Sequence, residues 1–156
     1  MLGKINTIFN EDLQSYIPEN LSSNYDQGFK FTTTFSSTTN GTVSPKTKVY
    51  QLFTKYGGDV WCYINEHVII ELPSPKCFKY FTIQAWYKCK FSLHASNDGV
   101  NYQKLKEFQL ENNGTYRPMK INNKKAYKFY KVVCDDISEY NGSYGRTTGI
   151  HFIHLT

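Results

Sequence analysis

Three features of the sequence predict an all-β fold of antiparallel strands. Thirteen Tyr and eleven Phe against two Met weight the apolar residues toward rings, which pack well on a pleated surface. Turn-forming clusters recur at short intervals: Asn40-Gly41, Gly57-Gly58, Pro73-Ser74-Pro75, Asn97-Asp98-Gly99, Asn112-Asn113-Gly114, Asn122-Asn123 and Asn141-Gly142. Between them lie short segments, several alternating apolar with polar residues, which is the pattern of a sandwich or barrel.

The elements follow in chain order. Asn10 can cap a short helical turn that runs to Tyr16 before Pro18 ends it. In 67–72, Val68, Ile70 and Leu72 form the inward set, with His67 and Glu71 outside. In 79–85, Phe81, Ile83 and Ala85 share one face, and Tyr80, Thr82 and Gln84 the other. In 89–95, Cys89, Phe91, Leu93 and Ala95 alternate with Lys90, Ser92 and His94, the mark of a strand with one solvated face. Asn97-Asp98-Gly99 supplies the left-handed conformations of a tight reversal into a strand near 102–105. Segments 127–134 and 150–155 are richer in apolar residues and read as more fully covered strands. Gly149 leaves room for a close approach at the start of the last one. Residues 1–16 read as a lead-in and 17–156 as one domain, a division that suits 156 residues.

Composition narrows the function classes. Forty per cent apolar residues exclude compositional disorder, and no apolar run approaches the ~18 residues of a membrane span. The start of the chain lacks the long apolar stretch of a secretion signal, so a cytoplasmic or virion-associated location is expected. The net charge of +5 is spread over scattered lysines, densest from Lys120 to Lys131. Arg, which makes most specific base contacts, occurs only at Arg117 and Arg146, so nucleic acid is not expected as a partner. Cys62, Cys77, Cys89 and Cys134 contain no CxxC pair and read as reduced thiols packed as small apolar groups. His151 and His154 stand three apart, which on a regular strand puts them on opposite faces. No metal site or cofactor is expected.

The passage FSLHASNDGVNYQKLKEF, from Phe91 to Phe108, resembles the signature of the discoidin, or coagulation factor 5/8 type C, family. Further likenesses follow in the family's order. They are the entry segment Ile17 to Asn24, Phe35-Ser36-Ser37, the stretch Val49 to Phe53, the lone Trp at Trp61, and the strand Val68 to Pro73. Phe78 to Ala85, Ala126 to Val132 and the closing strand Gly149 to Leu155 complete the series. The resemblance implies a galactose-binding-like jelly-roll β-sandwich of about eight strands, with ligand loops clustered at one end. Departures from the family pattern are equally plain. Thr54 stands where the family often has a calcium-binding Asp, with Asp59 the nearest acid. The loop after Ala85 is only Trp86-Tyr87-Lys88, and Phe152 replaces a common Glu.

Nothing in the sequence has the spacing of a catalytic motif: there is no G-x-S-x-G, no H-E-x-x-H and no glycine-rich phosphate loop. Asp135-Asp136 reads as a solvated acid pair at a strand end, and no catalysis is predicted. A sugar site asks for an exposed ring beside amide, Arg or Lys donors on loops held by a rigid scaffold. Three loops carry that mixture. Tyr140, Asn141, Tyr144 and Arg146 form the first choice; Tyr116 and Arg117 form the second, and Lys46 with Pro45 the third. Trp61 reads as structural, plugging the barrel end. Trp86 reads either as core edge or as exposed anchor.

The expected function is a non-enzymatic binding module that takes a carbohydrate through loops at one end of the sandwich. The alternative is a structural or adaptor subunit of a larger assembly (a virion, a tail or the cytoskeleton), with a protein as ligand or copies of the chain as partners. Attachment to anionic lipid, as in some relatives, is a weaker reading.

Overall fold

The computed structural model describes residues 16–36, 44–54, 57–111, 117–138 and 147–156. The helical turn expected at 10–16 falls almost wholly outside them. Tyr16 is described, and its ring meets Phe29 and Phe78 edge-on at centroid distances of 5.7 and 5.9 Å.

The chain enters a hairpin of β1 (Tyr25–Asp26) and β2 (Phe29–Thr33), turned by Gln27 and Gly28 at positive φ. A one-turn helix, α1 (Pro45–Lys48), has proline in its first turn and runs into a 3-10 turn, Val49–Phe53. Eight further strands follow: β3 (Val60–Tyr63), β4 (His67–Lys76), β5 (Tyr80–Ala85), β6 (Cys89–Ser96), β7 (Gln103–Leu110), β8 (Met119–Lys120), β9 (Tyr127–Ile137) and β10 (Thr147–Leu155). Every pairing is antiparallel. One sheet has the order β1-β2-β4-β9-β6-β7 and the other β3-β10-β5-β8. The described residues thus hold ten strands, not about eight. The difference includes β1 and β8, two-residue strands too short for an alternation to register in the sequence.

The two sheets bury their inner faces against each other, as the period-two reading predicts. Val68, Ile70 and Leu72, Phe81, Ile83 and Ala85, and Cys89, Phe91, Leu93 and Ala95 all join one core with Ile150, Ile153 and Leu155. Rings fill much of the space between the sheets: Phe81 stacks on Phe108 at 4.6 Å and Phe78 meets Tyr130 at 4.9 Å. The Tyr130 hydroxyl donates to the Lys76 carbonyl, and burial pushes this phenol up to about 12. Of the cysteines, Cys62, Cys89 and Cys134 are buried and all four are thiols; burial pushes the Cys89 thiol up to about 12.

Two β-bulges interrupt the regular alternation. Asp135 is the extra residue where β9 pairs with β6, because Lys90 opposes Asp136 while Phe91 opposes Cys134. The acid pair lies at the end of β9, as read, with Asp136 exposed and Asp135 half-buried at the bulge. In β10 the register slips between Ile150 and Phe152, so the alternation that would separate His151 from His154 breaks at His151. His151 Nδ1 lies 3.1 Å from Asp59 Oδ1, whereas His154 Nε2 lies 3.2 Å from the Thr54 carbonyl. Strand β9 is less covered than expected, with Phe129 and Val133 only half-buried on its outer face.

Candidate functional site

Strand β5 ends at Ala85, and the chain reverses through Trp86, Tyr87 and Lys88 into β6. Hydrogen bonds to other strands hold this short turn. Trp86 N–H donates to the Gly149 carbonyl at 2.9 Å, and Tyr87 N–H donates to Thr148 Oγ1 at 3.1 Å. Just past the end of β9, Ser138 N–H donates to the Lys88 carbonyl at 2.9 Å. The backbone beneath Trp86 is thereby fixed to both sheets.

Gly149 shapes the site by having no side chain. A Cβ built there would sit 2.3 Å from Trp86 Cδ1, 2.8 Å from Trp61 Cε2 and 3.0 Å from Trp61 Cζ2, closer than carbon atoms approach. Both indoles therefore close on the bare backbone. Trp61 opposes Gly149 in the ladder while its neighbours Val60 and Cys62 point into the core, so Trp61 lies on the outer face of the four-stranded sheet. It is 9% exposed, its ring 6.0 Å from that of Tyr87. The structural reading of Trp61 stands, but its place changes: it covers Gly149 from outside instead of plugging the barrel. Trp86 is 44% exposed, so one part of its ring rests on the strand and the rest faces solvent. Lys88 approaches Glu111 at 3.9 Å beside it, an exposed pair of little energetic weight.

The other expected site residues divide into two groups. Tyr116, Tyr140, Asn141, Tyr144 and Arg146 lie outside the described residues, although the chain re-enters at Thr147, two positions before Gly149. Lys46 and Arg117 are described and exposed. The Lys46 carbonyl accepts from Asn24 Nδ2 at 2.9 Å, which ties α1 to the hairpin beside β2 of the six-stranded sheet. Arg117 precedes β8 at the rim of the four-stranded sheet. Lys46 thus belongs to a different part of the surface from Trp86. Sequence reasoning missed Tyr87 and Thr148, although Gly149 in an apolar strand was the signal that a large side chain lies against it.

Chemically, this end offers a fixed indole, 44% exposed. An indole face takes the apolar C–H side of a ring-shaped ligand, while amine and hydroxyl groups fix its orientation. Among the described residues, no three His, Cys, Asp or Glu side chains converge as metal ligands. None of the described helices is long and apolar enough to cross a membrane.

No family model matches the sequence, and no curated protein matches it. Solved structures do. The CBM32-5 module of CpGH89 from Clostridium perfringens, solved with GalNAc-β-1,3-galactose, is 17% identical with a TM-score of 0.60, over 86% of this chain and 99% of that one. The family 32 carbohydrate-binding module of NanJ from C. perfringens, solved with galactose, is 10% identical with a TM-score of 0.59, over 86% and 97%. The family 32 module of EndoD from Streptococcus pneumoniae is 11% identical with a TM-score of 0.59, over 86% and 99%. At such identities the likeness defines the fold. The chain is a galactose-binding-like jelly roll, the architecture that these modules share with discoidin domains.

Proposed function

We propose that residues 17–156 form a discoidin-like, non-enzymatic carbohydrate-binding module whose site lies at the Trp86 end of the sandwich. The observation that carries this reading is Trp86 itself, an indole 44% exposed on a turn whose backbone is tied to β10 and to the end of β9. A large apolar ring held toward water by a rigid scaffold costs the molecule solubility unless something covers it, and the flat C–H face of a sugar fits it. Tyr140, Asn141, Tyr144 and Arg146 stand in sequence just before Thr147, and they complete the site in this proposal, with Tyr116 and Arg117 as a flanking pair. Similar folds were solved with galactose and with GalNAc-β-1,3-galactose, and another neighbour is a pectin-binding module, which makes these the first ligands to try.

Calorimetric titration with galactose, N-acetylgalactosamine and pectin fragments, beside a glycan array, tests the proposal. The expected result is saturable binding that Trp86→Ala and Arg146→Ala each weaken by about tenfold or more, with an unchanged circular dichroism spectrum. Silence across the array, or binding indifferent to both substitutions, would overturn it.

A further inference from the structure

Strand β10 carries a polar pair one rung along from the indoles. Ile150 opposes Val60 and both are wholly buried, so the residues on either side of that rung face outward. On one side stand Trp61 and Gly149, the glycine on which Trp86 closes. On the other stand Asp59 and His151, joined by His151 Nδ1 and Asp59 Oδ1 at 3.1 Å. Two residues of extended chain span roughly 7 Å, and neighbouring strands lie roughly 4.8 Å apart. His151 is thus one strand over and one rung along from Trp86, a separation that one or two sugar residues bridge.

The pair is held in place and open. The bulge between Ile150 and Phe152 turns His151 outward. Its carbonyl accepts from Gly58 N–H at 2.8 Å, and Gly57, at a φ of +66°, packs so closely that a Cβ there would lie 2.3 Å from the same oxygen. The loop that carries Asp59 is thereby fixed to β10. The two side chains are 42% and 39% exposed, so a ligand can reach them. A neutral imidazole that faces a carboxylate through Nδ1 carries its proton there and leaves Nε2 as an acceptor. Neither Nε2 nor Asp59 Oδ2 takes a hydrogen bond among the described residues. Two outward acceptors, one of them charged, suit the hydroxyl groups of a sugar, which donate, and repel an anionic group.

We infer that Asp59, oriented by His151, is the specificity-determining group of the site at Trp86. It accepts from a hydroxyl of a neutral sugar lying on the indole and turns away acidic sugars by like charge. The inference rests on the carbohydrate reading above and adds which sugars that site takes. Calorimetric titration of the full chain with galactose and glucose, each beside its uronate (galacturonate and glucuronate), tests it. A neutral sugar should bind about tenfold or more tightly than the acid of the same ring. Asp59→Asn keeps an acceptor for His151 Nδ1–H and removes only the charge. It should weaken the neutral sugar about tenfold and narrow its margin over the acid to about threefold or less. His151→Gln releases the carboxylate from its fixed orientation; the neutral sugar should weaken while the acid stays excluded. A merely structural role would weaken both sugars together and leave the margin unchanged, as Trp86→Ala should do. If the acid binds as tightly as its neutral counterpart, or if Asp59→Asn leaves the margin as it was, the inference is overturned and Trp86-dependent binding still upholds the module reading. If no sugar binds, both fall.

Discussion

The turn at Trp86 and the loop at Asp98 reverse the chain on either side of β6, and they are held in opposite ways. The Asp98 loop is closed by its own side chains. The Asp98 carboxylate accepts from the backbone N–H groups of Val100 and Asn101, from Asn101 Nδ2 and from Ser96 Oγ, each at 2.8 Å. Ser96 Oγ in turn accepts from the N–H of Asp98 and Gly99, and Gly99 takes a φ of +75° that suits glycine. Those donors hold the Asp98 carboxyl well below the usual carboxylate range. The Trp86 turn instead depends on residues about fifty to sixty positions away, Ser138, Thr148 and Gly149. The most recognisable stretch of the sequence, Ser96 to Asn101, is therefore a device for closing a loop. The residues that present a ring to solvent carry no local motif.

The comparison breaks most sharply at Gly149. Gly149→Ala places a methyl group 2.3 Å from Trp86 and 2.8 Å from Trp61, and neither contact is the tip of a flexible chain. Overpacking of this kind costs about 1–3 kcal/mol, and the indoles must move apart to relieve it. Urea unfolding should show that loss, and amide shifts should change at 86–88 while 97–101 stay in place. A variant as stable as the parent, with Trp86 fluorescence unchanged, would mean that the glycine does not seat the rings.

A smaller effect is expected from Asp98→Ala, which removes the acceptor that four donors share in an exposed loop. The melting temperature should fall, by less than in Gly149→Ala, and hydrogen exchange should quicken at Val100 and Asn101. The turn at Trp86 should not respond. Coupled changes at both places would show that the two turns are not independent.

How legible each region was follows from the same contrast. The inward sets of β4, β5 and β6 could be named because alternation is a local property and each set meets the opposite sheet. The register breaks at Asp135 and His151 could not, since a bulge is decided by the partner strand and leaves no mark in the bulged one. Trp61 looked like a plug because a large ring in a β-rich chain is usually core; only its ladder partner Gly149 puts it on the outer face. Asn123 looked like one more turn residue. It is buried, with its amide 3.4 Å from the Phe78 carbonyl and its own carbonyl accepting from Lys79 Nζ at 2.6 Å. Lys46 reads as the charge of a loop stiffened by Pro45, and the Asn24 contact that carries α1 to the six-stranded sheet comes from more than twenty positions away.

The smallest expected effect concerns acid. Burial lowers the imidazole of His154, against the pull of the Thr54 carbonyl, and burial with the nearby Lys131 lowers His67 and His94. A base whose folded value lies below its unfolded one binds more protons when unfolded, so stability rises with pH between the two values. These groups therefore contribute fully above the ordinary value of 6.5, and their contribution is lost as pH falls from there toward the lowered folded values. Asp98 acts in a separate window, being intact above its ordinary 3.8, and the buried Cys89 and Tyr130 titrate far above neutrality. Between pH 7.5 and 5 the slope should thus belong to the histidines, and chiefly to His154, whose ring is half-buried against Phe152 at 4.8 Å. Urea midpoints measured across that range should decline for the parent and flatten in His154→Gln. An undiminished slope in that variant would assign the acid sensitivity elsewhere, to the outer face where His67 and His94 lie near Lys131.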